Sequence, residues 1–376
     1  MEDLKNKEEL LKEVHSFYEK EVKPTLPAYN AKRKRDRVII YSAIGAFVSL
    51  CLCPIHLAFA LVAALLVAIA YLYQKNETVE FDCSYEMCIK KKLMPKFLNL
   101  FGKYHWAKNH IYNSEEIYKK LTSLKILPKT SMMAFDDVIY GIHKDVKVEV
   151  IELRTGIYAS GLIGGIMLII GASVIVLPIL GIGIGFLVLI AALIPNTHVQ
   201  LGFIAFVVLV LLALIIGVIT LFIRNAFTNQ SIKGVVLKYT FPKKFNKHTF
   251  IFENKLSSQK LIHKGRQGYE KVSLEDSEFD KNYTVFSDDQ VEARYLLTTS
   301  FIERFKNIET AFNPLYQRAE FKENELYILL GTNRDLFKMG SLGEETNYSQ
   351  FSQLFEEFYS VLDLIEQLKL NQHIGL

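Results

Sequence analysis

IYASGLIGGIMLIIGASVIVLPILGIGIGFLVLIAALIPNTHVQLGFIAFVVLVLLALIIGVITLFI, residues 157–223, contains no Asp, Glu, Lys or Arg. A bilayer takes only ~20 apolar residues per helical crossing, so this length predicts an embedded segment inside an otherwise polar chain. Pro195-Asn196-Thr197-His198 forms a turn-prone break. One arm, Leu201 to Ile223, has an ordinary spanning length. The other, Ile157 to Ile194, is overlong and carries Pro178. Arg154 precedes the unit, Arg224 and Lys233 follow it, and the turn has no Lys or Arg. That charge placement predicts a hairpin entered and left from the cytoplasm. Gly161 with Gly165, and Gly181 with Gly185, sit at the spacing at which missing side chains let helices approach closely. These four glycines are the predicted helix-packing or partner contacts.

A second apolar run spans Val38 to Tyr73. As one straight helix it would be about 54 Å long at ~1.5 Å per residue, too long for tilt to absorb. Its centre, Cys51-Leu52-Cys53-Pro54-Ile55-His56, contains a helix-breaking proline. The reading is a hairpin with arms over 38–53 and 56–73, anchored at the interface by Tyr41, Tyr71 and Tyr73. Lys32, Arg33, Lys34, Arg35 and Arg37 precede it directly and are read as membrane-surface residues touching anionic lipid.

The rest of the chain folds in water. It has 376 residues, 50% hydrophobic, with a net charge of +4 and a mean hydropathy of +0.17. The basic excess is local, so nucleic acid is not an expected partner. Leu4, Leu11, Val14 and Tyr18 place an amphipathic helix at the N-terminus. Tyr348, Phe351, Leu354, Phe355, Phe358, Leu362, Ile365 and Leu368 place a stronger one at the C-terminus. Asn113 to Leu124 reads as helical. Val146, Val148 and Val150 alternate with polar residues, so 145–153 reads as a strand; 233–241 and 248–253 do too. The strands at 145–153 and 233–241 flank the inserted segment, and the simplest geometry pairs them antiparallel. Capping-box patterns at Ser287/Gln290 and Ser300/Glu303 predict helix starts, and Glu320 to Leu330 reads as a β-hairpin turning near Glu323-Asn324.

The expected fold is therefore α+β and membrane-anchored. Two transmembrane helical hairpins carry one cytoplasmic α+β domain with a largely antiparallel sheet, split by the second hairpin. Its parts are an amphipathic and basic segment (1–37), the first hairpin (38–73), the domain's first part (74–156), the inserted hairpin (157–223), the domain's second part (224–343) and a C-terminal helix (344–376).

Leu274-Glu275-Asp276-Ser277-Glu278-Phe279 and the stretch Phe286-Ser287-Asp288-Asp289-Gln290-Val291-Glu292-Ala293-Arg294-Tyr295-Leu296-Leu297-Thr298 resemble the signature of an uncharacterised bacterial membrane-protein family. That family is labelled only as a domain of unknown function and is often encoded beside LemA. Met94-Pro95-Lys96, Asp137 to Gly141, Gly234-Val235-Val236-Leu237 and Phe241-Pro242-Lys243-Lys244-Phe245 fit as well, so the likeness covers most of residues 30–335. The resemblance implies an N-terminal membrane hairpin, a cytoplasmic α+β domain and a LemA-like partner. It implies no catalytic residues. The insertion at 157–223 departs from it.

Chemistry is sparse. Asp136, Asp137, His143 and Asp145 cluster without a metal-binding spacing. Glu292 and Arg294 fall on different helix faces and read as structural contacts. The four cysteines read as free thiols. No phosphate loop, nucleophile elbow or kinase set is present. The apolar runs hold no ionisable residue except His56 and His198, both at turns, which argues against an ion-coupled pump. No cofactor or metal is expected. The reading is a non-enzymatic multi-pass scaffold or assembly subunit of the bacterial inner membrane. Its expected partners are membrane lipids and either a second copy or a LemA-like membrane protein. The alternatives are a lipid- or solute-handling membrane protein and an enzyme housed in the cytoplasmic domain.

Overall fold

A computed structural model describes residues 4–52, 58–75, 83–108, 119–121, 123–124, 126–127, 133–155, 233–245, 247–254, 268–332, 334 and 336–373. In chain order the elements are helix α1 (Lys7–Phe17), a π turn and a 3-10 turn to Thr25, α2 (Leu26–Leu52), α3 (Ala58–Lys75) and α4 (Tyr85–Leu98). Strands β1 (Tyr104–Lys108), β2 (Met133–His143), β3 (Val146–Thr155), β4 (Lys233–Thr240), β5 (Thr249–Glu253) and β6 (Glu270–Val272) follow. The chain ends with α5 (Ser277–Asn282), β7 (Tyr283–Ser287), α6 (Gln290–Leu296), α7 (Thr299–Phe312), β8 (Tyr316–Lys322), β9 (Glu325–Gly331) and α8 (Tyr348–His373).

The strands form one nine-stranded sheet in the order β1-β2-β3-β4-β9-β8-β5-β7-β6, with every pairing antiparallel. β3 and β4 pair as the flanking-strand reading predicts, from Arg154 opposite Lys233 to Lys147 opposite Thr240. Residues on either side of the 157–223 segment therefore lie side by side at the centre of one sheet. β8 and β9 form the predicted hairpin, with Glu323 at the turn in the left-handed region (φ 58).

Side-chain alternation sends Val146, Val148 and Val150, then Val235, Leu237 and Tyr239, to one face of this sheet. There they meet Leu10, Val14 and Phe17 of α1, Phe97 of α4, Phe301 and Phe305 of α7, and Phe351, Phe355, Phe358 and Leu362 of α8. The C-terminal aromatic stripe is thus core, and the buried Tyr239 hydroxyl donates to the Val361 carbonyl at 3.0 Å. The opposite face carries Ile151, Leu153, Val236, Phe250, Phe252 and Leu329, and is covered by Leu121, Leu124, Ile126 and Leu127.

α7 shows how local sequence sets an element. The Thr298 side chain accepts from the Phe301 N–H at 3.2 Å and caps the helix. Phe301, Ile302, Phe305, Ile308 and Phe312 fall on its buried stripe, and Asn313 closes it in the left-handed region. The predicted cap at Ser300 is therefore corrected to Thr298. Likewise α6 starts at Gln290 under Asp289, whose carboxylate accepts from the Val291 and Glu292 N–H groups. Ser287 instead ends β7. In both cases the cap is the residue directly before the first helical position.

The two-hairpin membrane architecture is overturned. Among the described residues, no helix is long and apolar enough to cross a membrane. α2 begins at Leu26, before the basic cluster, and spends its first turns docking on the body: Tyr29, Lys32 and Arg33 are buried. Only its part after Arg37 is apolar, which falls short of the ~20 residues a crossing takes. α3 has 18 residues. The expectation of a multi-pass inner-membrane protein is corrected with it. The predicted second hairpin, 157–223, lies outside the described residues, as do Gly161, Gly165, Gly181 and Gly185. The free-thiol reading is corrected for Cys83 and Cys88, which form a disulfide joining the residue before the α4 cap to the first turn of α4.

Candidate functional site

α2 and α3 pack against each other and form a two-helix arm. Their seam is made of small residues: Ser42, Ala46 and Ser49 of α2, spaced along one helical stripe, and Ala63 of α3 are buried. A Cβ on Gly45 would come within 3.0 Å of Leu66 Cδ1, so the helices approach closely there. Apart from Leu66, most of the large side chains point the other way. Ile40, Tyr41, Ile44, Phe47 and Val48 of α2 are exposed, as are Leu61, Val62, Leu65, Val67, Tyr71, Leu72 and Tyr73 of α3. Elsewhere in the described residues, large exposed hydrophobics are isolated: Ile142, Val291 and Leu315. A single exposed leucine needs no explanation, but a concentration of them marks an interaction surface.

The basic cluster at the base of the arm divides by helix face. Lys32 lies 3.5 Å from Asp36, and Arg33 pairs with Glu345 of the loop before α8. The Arg33 pair fastens the arm to the body, and the Tyr85 N–H adds a hydrogen bond to Asp36 at 2.9 Å. Lys34 is exposed and Arg35 half-buried. The Arg37 guanidinium lies over the Tyr41 ring, 5.9 Å from its centroid.

A second feature, not evident from spacing, is a belt of ionisable groups across the covered face of the sheet. Lys238 bridges Glu149 at 2.7 Å and Glu325 at 3.3 Å. Lys120 reaches Glu325 at 3.0 Å. Burial pushes the Glu325 carboxyl up, but the Tyr327 hydroxyl and the two lysines outweigh it and hold it below the usual range. Burial and the Glu325 carboxylate push the Tyr327 hydroxyl up. Further along, the His248 ring sits between Glu320 at 2.8 Å and the Tyr269 hydroxyl at 3.2 Å. The other Glu320 oxygen accepts from the Ile126 N–H at 3.2 Å, while Arg318 donates to the Ile126 carbonyl and to Glu253. This belt ties segment 119–127 to the sheet. A carboxylate, an imidazole and a phenol so connected can pass a proton, but the Glu320 carboxylate is also engaged in holding the cover down. Charged residues at alternate strand positions usually face water. Here a distant segment covers them, so the sequence pattern reads as an ordinary solvated face.

The four residues near the β2–β3 turn separate. Asp137 is buried and takes the Lys90 ammonium and, at 3.1 Å, the Trp106 indole N–H. Asp136 faces Arg154 at 2.7 Å. His143 meets Glu366 of α8 at 2.8 Å. Among the described residues, no group of three or more His, Cys, Asp or Glu side chains is placed to hold a metal ion. On α6, Arg294 donates to Gln290 at 3.2 Å and to the Ser273 carbonyl at 3.4 Å, while Glu292 is buried.

Residues 230–370 match the family model DUF3137, described as a protein of unknown function. The match runs from just before β4 through most of α8 and includes the Asp289–Thr298 stretch on which the resemblance rests. It leaves out β1–β3 and the arm. No curated protein and no solved structure matches this chain significantly.

Proposed function

We propose that this chain, whose residues 230–370 match a domain of unknown function, is a non-enzymatic scaffold or assembly subunit that binds other apolar helices through the α2–α3 arm. The observation that supports this is the inside-out arm: small side chains line its seam, and large apolar ones face outward. Water would favour the reverse arrangement, because each large apolar side chain kept exposed forgoes about 1.5–3 kcal/mol. The exposed Leu61, Leu65 and Leu72 of α3 recur near helical spacing, with the exposed Ala64 and Ala68 between them. A neighbouring helix can therefore approach in ridges-into-grooves fashion. The favoured occupant is the same face of a second copy, since an isologous contact uses one patch twice. A LemA-like protein is the other.

The body suits a carrier. Arg33–Glu345 and Tyr85–Asp36 fix the base of the arm to the loop before α8 and to α4. Native mass spectrometry and crosslinking test the reading. An oligomer is expected at micromolar concentration. Leu65→Glu and Phe47→Glu, both at exposed positions, should weaken association by about 2 kcal/mol or more, roughly thirtyfold, without changing the melting transition. A monomer unaffected by either substitution, with no LemA-like protein bound, would refute it.

A further inference from the structure

A cleft of about 470 Å³ opens between the N-terminal segment, the loop after α4 and the β2–β3 turn. That volume lies in the range of small-molecule sites. Its apolar lining is Leu4, Leu10, Leu100 and Phe101. Lys5, Lys103, His143 and Lys144 line it as well. Tyr104, 3% exposed, also lines it, and its buried hydroxyl has no hydrogen-bond partner among the described residues. The donors at the β2–β3 end converge on one group. The Glu366 carboxylate takes His143 Nε2 on one oxygen at 2.8 Å and the Lys144 ammonium on the other.

The turn that places those donors is unusual. His143 pairs with Val146, leaving Lys144 and Asp145 as a two-residue loop with φ of 46° and 67°. Asn-Gly is the favoured sequence for such a turn. A lysine in the left-handed region is sterically disfavoured, and this one lines the cleft with its ammonium on Glu366. Lys5 also reaches Glu13 at 2.6 Å. Lys5, Lys103, His143 and Lys144 thus line the cleft, and the last two are paired with Glu366 of α8 at its edge.

We infer that this cleft is a carboxylate-binding site, held in this structure by the protein's own Glu366 and suited to a small carboxylate with an apolar body. The incoming carboxylate replaces Glu366 on His143 and Lys144, gains the Tyr104 hydroxyl, and lays its apolar part along Leu4, Leu10, Leu100 and Phe101. Binding then frees the end of α8 from the β2–β3 turn. The self-contact acts as a latch: the apparent affinity is the intrinsic affinity scaled by the fraction of molecules in which Glu366 has let go.

Calorimetric titration of the full chain with octanoate tests this, with octan-1-ol as the neutral analogue. Octanoate should saturate a single site that octanol does not fill. Glu366→Gln should tighten octanoate by about tenfold, by removing the competing charge. Lys144→Ala should weaken it by about tenfold, and Lys103→Ala, at an exposed position, should weaken it less. Circular dichroism checks that each variant is folded, and Lys103→Ala carries the test should Lys144→Ala fail to fold. Binding on the apolar arm would be equal for octanoate and octanol and indifferent to Glu366. That pattern, or no saturable octanoate binding to Glu366→Gln, would overturn the inference. Neither result bears on the oligomer expected in native mass spectrometry, so this reading and the assembly reading fail separately.

Discussion

Glu357 on α8 is a carboxylate placed where its charge is poorly supported. Its side chain is 2% exposed and 3.5 Å from Arg334, with the Gln353 amide donating to it at 2.9 Å. Burial pushes its pKa up to about 7, and the Gln353 hydrogen bond and Arg334 charge only partly offset this. Arg334 is divided, since its guanidinium also donates to the Phe312 carbonyl at the end of α7. The folded-state pKa lies above the unfolded value, so the folded protein holds the extra proton. The associated stability is full below about pH 4.5 and is lost as pH rises through about 7. Above that, folding carries a charged Glu357 at a cost of up to about 3 kcal/mol, an order-of-magnitude figure. Glu357→Gln keeps a carbonyl for Gln353 and removes the titration. Thermal melts should show the variant more stable than the parent at pH 8 and no more stable at pH 4.5. A stability difference independent of pH would show that Glu357 is not the titrating group.

Among elements, the β4–β9 pairing depends on two glycines placed directly opposite each other, Gly234 and Gly331. A Cβ on Gly234 would sit 2.2 Å from the Leu330 carbonyl oxygen, which is backbone and cannot step aside. On Gly331 it would enter the Tyr316 ring, which lies across the glycine on β8 and carries Arg318 on its face at 4.3 Å. Gly234→Ala should therefore destabilise the sheet by roughly 2 kcal/mol or more, whereas Gly268→Ala, with open space around the added carbon, pays only for its positive φ. Chemical denaturation would separate the two, and equal losses would mean that the strand contact is slack. These elements also mark how far the chain could be read in advance. β3, β4, the β8–β9 hairpin and α8 announce themselves by alternation or helical spacing, because each buries one face against the same core. The caps at Asp289 and Thr298 were mislocated because several side chains with suitable oxygens compete within three residues. The Lys238–Glu149 and His248–Glu320 contacts join residues 89 and 72 positions apart, and no local pattern encodes such a meeting. The arm misled for a different reason: composition records that α2 and α3 are apolar, but not that α2 starts at Leu26 and spends its first turns on the body.

Across the whole molecule, the chain leaves the centre of the sheet at Thr155 and re-enters it at Lys233. The register places Arg154 opposite Lys233 and continues unbroken to Lys147 opposite Thr240. β3 and β4 are thus paired as the two strands of a hairpin are. Among the described residues, both strands are buried against α1, α4, α7 and α8 on one face, and against Leu121, Leu124, Ile126 and Leu127 on the other. Packing of that kind should let the sheet close without the intervening residues. Replacing 157–231 by a short Asn-Gly-containing turn should leave the sheet intact, and should stabilise it by about 2 kcal/mol through the smaller loop-closure entropy. The shortened protein should melt cooperatively at or above the parent's temperature, and the amides of 147–153 and 234–240 should keep their hydrogen-exchange protection. It should also keep the arm, and with it the assembly proposed for the full chain. Loss of protection in β3 and β4 alone would mean that the intervening segment, rather than the two cores, holds the centre of the sheet together.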